Sequence, residues 1–294
     1  MELSHEIDKV EYITTKDFNT NYLLQNKPLI IKNVSPGASA FNKWNIEYFK
    51  KNAGNLMIDV HDNRIKNSTT TSITKADKKI LFSDYLDIIE ANKESDYRIF
   101  LFNLFKIKPG FRNDFPCPDI FSGLLDKIGY MFFGAKNSDV RIHYDIDNCN
   151  VLHTQFLGRK KITLFSADYS EMLYQLPFTT HSIVDINKIN YDKYPAIKYV
   201  KGYELILEPG ETLFMPSGFW HHMHYIDAGF SVSYRKLPVS IMDTLHGIAN
   251  LAFNLPLDKT MNFLLPKQWS NLKQNESHRK ANHILKNHLT TSTV

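Results

Sequence analysis

The sequence predicts a mainly β protein, a double-sheet jelly roll with helices flanking it. Three observations carry that expectation. From about Tyr97 to Arg235 the chain is a series of short, closely spaced apolar and aromatic segments of strand length. The stretches between them lack the helical patterns of roughly 10 to 15 residues that a parallel, doubly wound sheet requires. Aromatic content is 13%, with 20 Phe and 15 Tyr, and flat rings suit a pleated, half-buried surface.

Taken in order, Thr15-Lys16-Asp17 leads a short capped helix through DFNTNYLLQ. Pro28 to Val34 reads as a buried strand closed by Ser35-Pro36-Gly37. A second helix is expected around Trp44 to Lys51 and a strand from Leu56 to His61. The polar, Thr-rich run from Lys66 to Ala76 reads as an exposed loop. Strands are then expected at Arg98–Phe102, Tyr130–Phe133, Val140–His143, Val151–Leu157 and Lys161–Phe165. Four more follow at Tyr203–Leu207, Thr212–Met215, Trp220–Ile226 and Phe230–Arg235. Glu208-Pro209-Gly210-Glu211 supplies a compact turn between two of them. After Pro238 the pattern changes, and Ile241, Leu245, Ile248 and Ala252 fall at helical spacing. Phe263, Leu264, Leu265 and Trp269 come next, then a polar tail, with the last helix expected against the sheet or a second subunit. The chain thus divides into an N-terminal α/β extension (1–120), a jelly-roll core (121–236) and a C-terminal helical region (237–294).

Composition sets limits on function. A charged fraction of 22% and a net charge of +4, with no block of five like charges, describe a globular chain suited to an anionic ligand. They do not by themselves point to nucleic acid. Cys117 and Cys149 are too few for a disulfide framework and lack metal-type spacing. The opening MELSHEIDKV has no apolar stretch of signal-peptide type, and the run YMFFGA is too short to span a bilayer. A cytoplasmic, reducing location is expected.

Two motifs carry chemistry. In a strand, side chains two apart share a face, so His143 and Asp145 can approach one metal from adjacent corners. A third ligand from another strand would complete a facial triad with open positions, a donor set that suits iron(II). With 12 His and 31 acidic residues, about one His-x-Asp/Glu arises by chance, so the triplet alone proves nothing. The second motif is Pro216-Ser217-Gly218-Phe219-Trp220-His221-His222-Met223-His224. The alternate positions His221, Met223 and Tyr225 form the more apolar set, which selects His221 as the inward residue. A metal pair of His222 and His224, or three histidines on an edge strand, are the competing readings.

The order of these motifs, with about 70 residues between them, resembles the JmjC (cupin-like) family of 2-oxoglutarate-dependent oxygenases. The likeness is strongest to the factor-inhibiting-HIF asparaginyl hydroxylase branch and its bacterial relatives. It runs through PLIIKNV, GYMFFGAKNSDVRIHYD, HTQFLGRKKITLF, SIVDINKINYDKYPAIK and LEPGETLFMPSGFWHH. The resemblance implies a double-stranded β-helix core, Fe(II) held by His143, Asp145 and His221, and O2 as oxidant. It also implies that Lys160, in Gln155-Phe156-Leu157-Gly158-Arg159-Lys160, pairs with the distal carboxylate of 2-oxoglutarate as a point charge.

The chain departs from the pattern in several places. Phe100 replaces a tyrosine that touches the co-substrate in relatives, and Val140 replaces a threonine. Val151 stands where an asparagine is expected, with Asn150 next to it, and Arg235 replaces a second asparagine. Ser231, Ser233 and Arg235 share one strand face, and His153 shares that of Gln155. These are the residues expected to complete the co-substrate pocket. Phe100, Phe102, Tyr130, Phe132 and Trp220 are expected to shield it.

The implied activity is hydroxylation of a protein or peptide side chain, with release of succinate and CO2. A small molecule or RNA are the other substrate classes. Two further readings stand beside it: a metal-dependent cupin enzyme that does not use 2-oxoglutarate, and a non-catalytic binding protein of the same fold. The C-terminal helices resemble those that form homodimers in similar enzymes.

Overall fold

The computed structural model describes residues 1–62, 76–95 and 97–291. Its strands are β1 (Asp8–Val10), β2 (Leu29–Ile31), β3 (Met57–Asp62), β4 (Lys78–Leu81), β5 (Tyr97–Phe102), β6 (Gly129–Gly134) and β7 (Asp139–His143). There follow β8 (Asn150–Leu157), β9 (Lys160–Phe165), β10 (Tyr203–Leu207), β11 (Thr212–Met215), β12 (Trp220–Tyr225) and β13 (Gly229–Lys236). Among the described residues they form two sheets, ordered β1-β2-β11-β8-β13-β6-β5-β3-β4 and β10-β9-β12-β7. This is the jelly roll expected from the sequence. The expected loop at Lys66 to Ala76 lies, apart from Ala76, outside the described residues.

Side-chain alternation sorts the strands into three apolar layers. On β13, Phe230, Val232 and Tyr234 join the outer cluster of the large sheet, while Ser231, Ser233 and Arg235 take the opposite face. On β9, Ile162 and Leu164 point between the sheets, where they meet Val151, Leu213, Met215 and Met223. Phe165 and Trp220 lie on the outer side of the small sheet with Tyr144, Leu173 and Tyr174.

The N-terminal helices cover the outer face of the large sheet. They are α1 (Thr15–Phe18), α2 (Ala40–Lys43), α3 (Ile46–Ala53) and α4 (Phe82–Glu90), followed by the short α5 (Leu104–Ile107) and α6 (Gly110–Asp114). Thr14 caps α1 by accepting from the Asp17 amide, and Asn45 caps α3 by accepting from Tyr48. The buried Asp114 carboxylate at the end of α6 accepts from Ser39 Oγ (2.8 Å), Lys43 Nζ (2.7 Å), Trp44 Nε1 (3.2 Å) and Tyr48 Oη (2.9 Å). Those four donors tie α2 and α3 to α6. Strand β2 pairs antiparallel with β11, and β5 with β6, so the segment expected as an extension supplies strands to the large sheet.

Between β8 and β9 the chain reverses at Gly158, whose φ is +72°. A Cβ there would come 2.5 Å from the Ala228 carbonyl oxygen, so only glycine fits the turn that sets up Lys160. On β5 the register slips between Ile99 and Phe102, and Leu101 sits at φ +54°.

The C-terminal region holds α7 (Ile241–Ala249), a π turn over Asn250–Asn254, α8 (Leu255–Leu264) and α9 (Pro266–Thr291). The expected polar tail is therefore one 26-residue helix. Its buried stripe is Trp269, Lys273, Ser277 and Ala281, four residues apart, too polar to register as a hydrophobic pattern. Lys273 is buried because Asp258 pairs with it at 2.6 Å, and the Trp269 indole donates to the same carboxylate at 2.8 Å. No described helix is long and apolar enough to cross a membrane.

Asp114→Ala would leave four donors without their shared acceptor. A loss of about 3 kcal/mol is expected, read from the urea midpoint at unchanged slope.

Candidate metal centre

His143 ends β7, Asp145 follows two residues on, and His221 is the second residue of β12. The antiparallel register sets His221 opposite His143, with ring centroids 4.3 Å apart. One ligand atom from each of His143, Asp145 and His221 can be chosen so that all lie within 4.8 Å of one another. His221, Met223 and Tyr225 line one cavity. His222 and His224 lie on the other side of the strand, both against Asp139, at 3.2 and 3.0 Å.

The protonation states suit a divalent metal. His143 Nδ1 lies 2.7 Å from the Arg141 carbonyl and His221 Nδ1 lies 3.1 Å from that of Phe219. A carbonyl can only accept, so each Nδ1 carries the proton and each Nε2 lone pair is free to ligate. Burial pushes the His143 imidazole down to about 3, and it lowers His221 as well, so both rings stay neutral. Burial alone would raise Asp145, but the Arg235 guanidinium and then the two imidazoles overcome it and hold the carboxyl below its usual range. Arg235 Nη1 donates to Asp145 Oδ2 at 2.8 Å and to Asp147 Oδ1 at 3.0 Å. Asp145 Oδ1 is left on the side of His143 Nε2, 3.9 Å away. Two neutral imidazoles and one oriented carboxylate fit a divalent metal such as iron(II).

The cavity has a volume of about 350 Å³ and reaches from this triad to Lys160. Lys160 has no solvent exposure. Its ammonium contacts His153 Nε2 at 3.0 Å and Ser231 Oγ at 2.9 Å, and lies 4.4 Å from the centroid of the Tyr225 ring. His153 Nδ1 in turn meets Ser233 Oγ at 2.7 Å. Burial pushes Lys160 down to about 7, and burial with Lys160 beside it lowers His153 further from its ordinary value. Arg159 and Lys161, the neighbours of Lys160, pair on the surface with Asp227 and Glu204.

A cupin-like domain family matches residues 15–240. The chain belongs to that family. It is 26% identical to lysine-specific demethylase 8 of Xenopus tropicalis over 78% of its own length and 52% of the relative's. Against JmjC domain-containing protein D of Dictyostelium discoideum the identity is 29%, over 74% and 53%. Against tRNA wybutosine-synthesizing protein 5 of Mus musculus it is 24%, over 83% and 82%. The chain spans about half the length of the first two relatives.

In this cupin-like domain the expected pocket residues separate into two groups. Lys160, His153, Ser233 and Arg235 line the cavity, as do Val140, Val151, Phe100, Tyr130 and Phe132. Asn150 does not line it. Its Nδ2 donates to the Leu237 carbonyl (3.2 Å) and its Oδ1 accepts from the Ser217 amide (3.0 Å), fixing the turn before His221. Phe102 packs on Phe82, and Trp220 is wholly buried against Tyr144. Arg235 is held by Asp145 and Asp147, so its guanidinium orients a ligand carboxylate of the triad. Several lining residues had no role assigned from the sequence, among them Arg98, Leu101, Tyr225 and Leu251. Tyr225 shares the parity of His221, which is a usable signal. Leu251, in the π turn of the C-terminal region, carries none.

His143→Ala and His221→Ala are each expected to weaken Co(II) binding by about a hundredfold or more, read from the visible spectrum. His222→Gln and His224→Gln should keep it. Retained binding in His221→Ala with loss in His224→Gln would reverse the assignment.

Proposed function

We propose that this chain is an Fe(II)- and 2-oxoglutarate-dependent oxygenase that hydroxylates its substrate. The observation that supports this reading is a single cavity with an open His-Asp-His triad at one end and a buried lysine at the other. Iron(II) at the triad would supply oxygen activation, coupled to conversion of 2-oxoglutarate to succinate and CO2.

The side chains divide the work. His143 and His221 present Nε2 lone pairs, and Asp145 presents one oxygen while Arg235 holds the other. Lys160 has three donor hydrogens, two of them directed at His153 and Ser231, which leaves one for a carboxylate. A charged ammonium with no solvent exposure is costly unless an anion joins it, so the site favours an anionic guest. Phe100, Tyr130, Phe132, Val140 and Val151 wall the space between triad and lysine and keep water from it.

A protein or peptide side chain is the substrate class we favour, on the motif likeness to the asparaginyl hydroxylase branch. The named relatives include both a lysine demethylase and a tRNA-modifying protein, which makes RNA the class to test against it. We also propose a homodimer. Ile241, Met242 and Phe253 lie 77%, 73% and 70% exposed on the C-terminal helices and Phe263 84%, more apolar surface than an isolated chain usually leaves in water.

Anaerobic titration of Fe(II) and 2-oxoglutarate should give a visible charge-transfer band, and succinate once oxygen is admitted. A folded chain giving neither sinks the oxygenase reading, and Lys160→Met keeping full 2-oxoglutarate dependence sinks the assignment of the lysine. Lys160, lowered by burial to about 7, must be charged to hold a carboxylate. Binding therefore takes up a proton above pH 7, and affinity should fall about tenfold per pH unit there while staying level just below. Light scattering should return twice the chain mass, and Ile241→Glu with Phe263→Glu should return the single mass.

A further inference from the structure

We propose that Tyr225 is a second donor to the far carboxylate of the co-substrate, acting beside Lys160. This rests on the 2-oxoglutarate reading above and names a residue that its motifs do not.

The starting point is a shortage of donors. A carboxylate offers two oxygens with about four acceptor sites, and Lys160 has one hydrogen left to give. Ser231 is engaged by Lys160 and Ser233 by His153. Phe100, in contact with the His61 ring and the Arg98 guanidinium, brings no hydroxyl. Tyr225 does. It is directly opposite Lys160 in the β12–β9 register, so the two side chains leave their strands side by side and into the same cavity. The Lys160 ammonium lies 4.4 Å from the ring centroid, and Ser231 is beside the phenol oxygen.

The fold makes room for this ring. A Cβ at Gly134 of β6 would come 2.4 Å from Tyr225 Cζ and 2.5 Å from both adjacent ring carbons. The bare glycine and the large ring are therefore one arrangement, and the phenol cannot be swapped for a bulkier packing without it. Burial pushes the phenol well above its ordinary value, so it stays protonated and can donate at any physiological pH. The field also favours an anion there, because Arg98 lies near the same oxygen.

The test compares Tyr225→Phe with the unsubstituted chain, by anaerobic Fe(II) charge-transfer titration and by calorimetry. The ligands are 2-oxoglutarate and 2-oxopentanoate, which has a methyl group in place of the far carboxylate. Tyr225→Phe should weaken 2-oxoglutarate by about tenfold, the loss of one charge-assisted hydrogen bond, and leave 2-oxopentanoate and Fe(II) affinity unchanged. Gly134→Ala, which displaces the ring, should shift 2-oxoglutarate in the same direction. Equal 2-oxoglutarate affinity in Tyr225→Phe overturns this inference alone. Equal weakening of both ligands shows a packing role and also overturns it. No 2-oxoglutarate binding by the unsubstituted chain overturns the underlying reading instead.

Discussion

Ionised groups inside an apolar sandwich are the constraint on which the rest of this structure depends. Asp145, Arg235 and Lys160 all line a cavity walled by valine and phenylalanine, where an isolated charge would cost several kcal/mol. The carboxylate and the guanidinium answer one another, while the ammonium has neutral neighbours. Arg235 is shared by Asp145 and Asp147, and Lys160 is ringed by His153, Ser231 and an aromatic face. The pairing keeps Asp145 ionised and fixed, and the two histidines are left neutral with their proton on the nitrogen that faces the backbone. The proposed metal ligands are thus positioned by hydrogen bonds from the protein's own groups.

The strand pattern was the most legible part of the chain. Alternation placed Phe230, Val232 and Tyr234 on one side of β13 and Ser231, Ser233 and Arg235 on the other, and it chose His221 among three histidines, because a sheet has a period of two. From β5 to β13 the strands end within one residue of the expected bounds, whereas the strand expected at Pro28 to Val34 shortens to Leu29–Ile31, and β1 and β4 were not expected. The C-terminal tail was not legible as a helix. Its buried stripe contains Lys273 and Ser277, and that stripe depends on Asp258, fifteen residues away from Lys273, which no local pattern reveals.

The candidate site was legible in its ligands and only in part in its pocket. His143, Asp145, His221 and Lys160 follow from spacing and motif. Arg235 was placed in the pocket from strand parity, yet its engagement with two carboxylates depends on the path of the loop after β7. Asn150 was drawn in by its proximity to Val151, although the period of two puts it on the other face of β8. Tyr225 stood in the inward set without a role, because its importance comes from Gly134 on a strand of the other sheet.

Leu251 belongs to the π turn of the C-terminal helices and yet forms part of the cavity wall. That shared residue puts the C-terminal helices in direct contact with whatever fills the cavity. A contact on the helices that displaced the turn would change ligand affinity by some factor, and the ligand would change the strength of that contact by the same factor. Occupancy of a chamber at the heart of the sandwich can in this way be reported on the outside of the molecule.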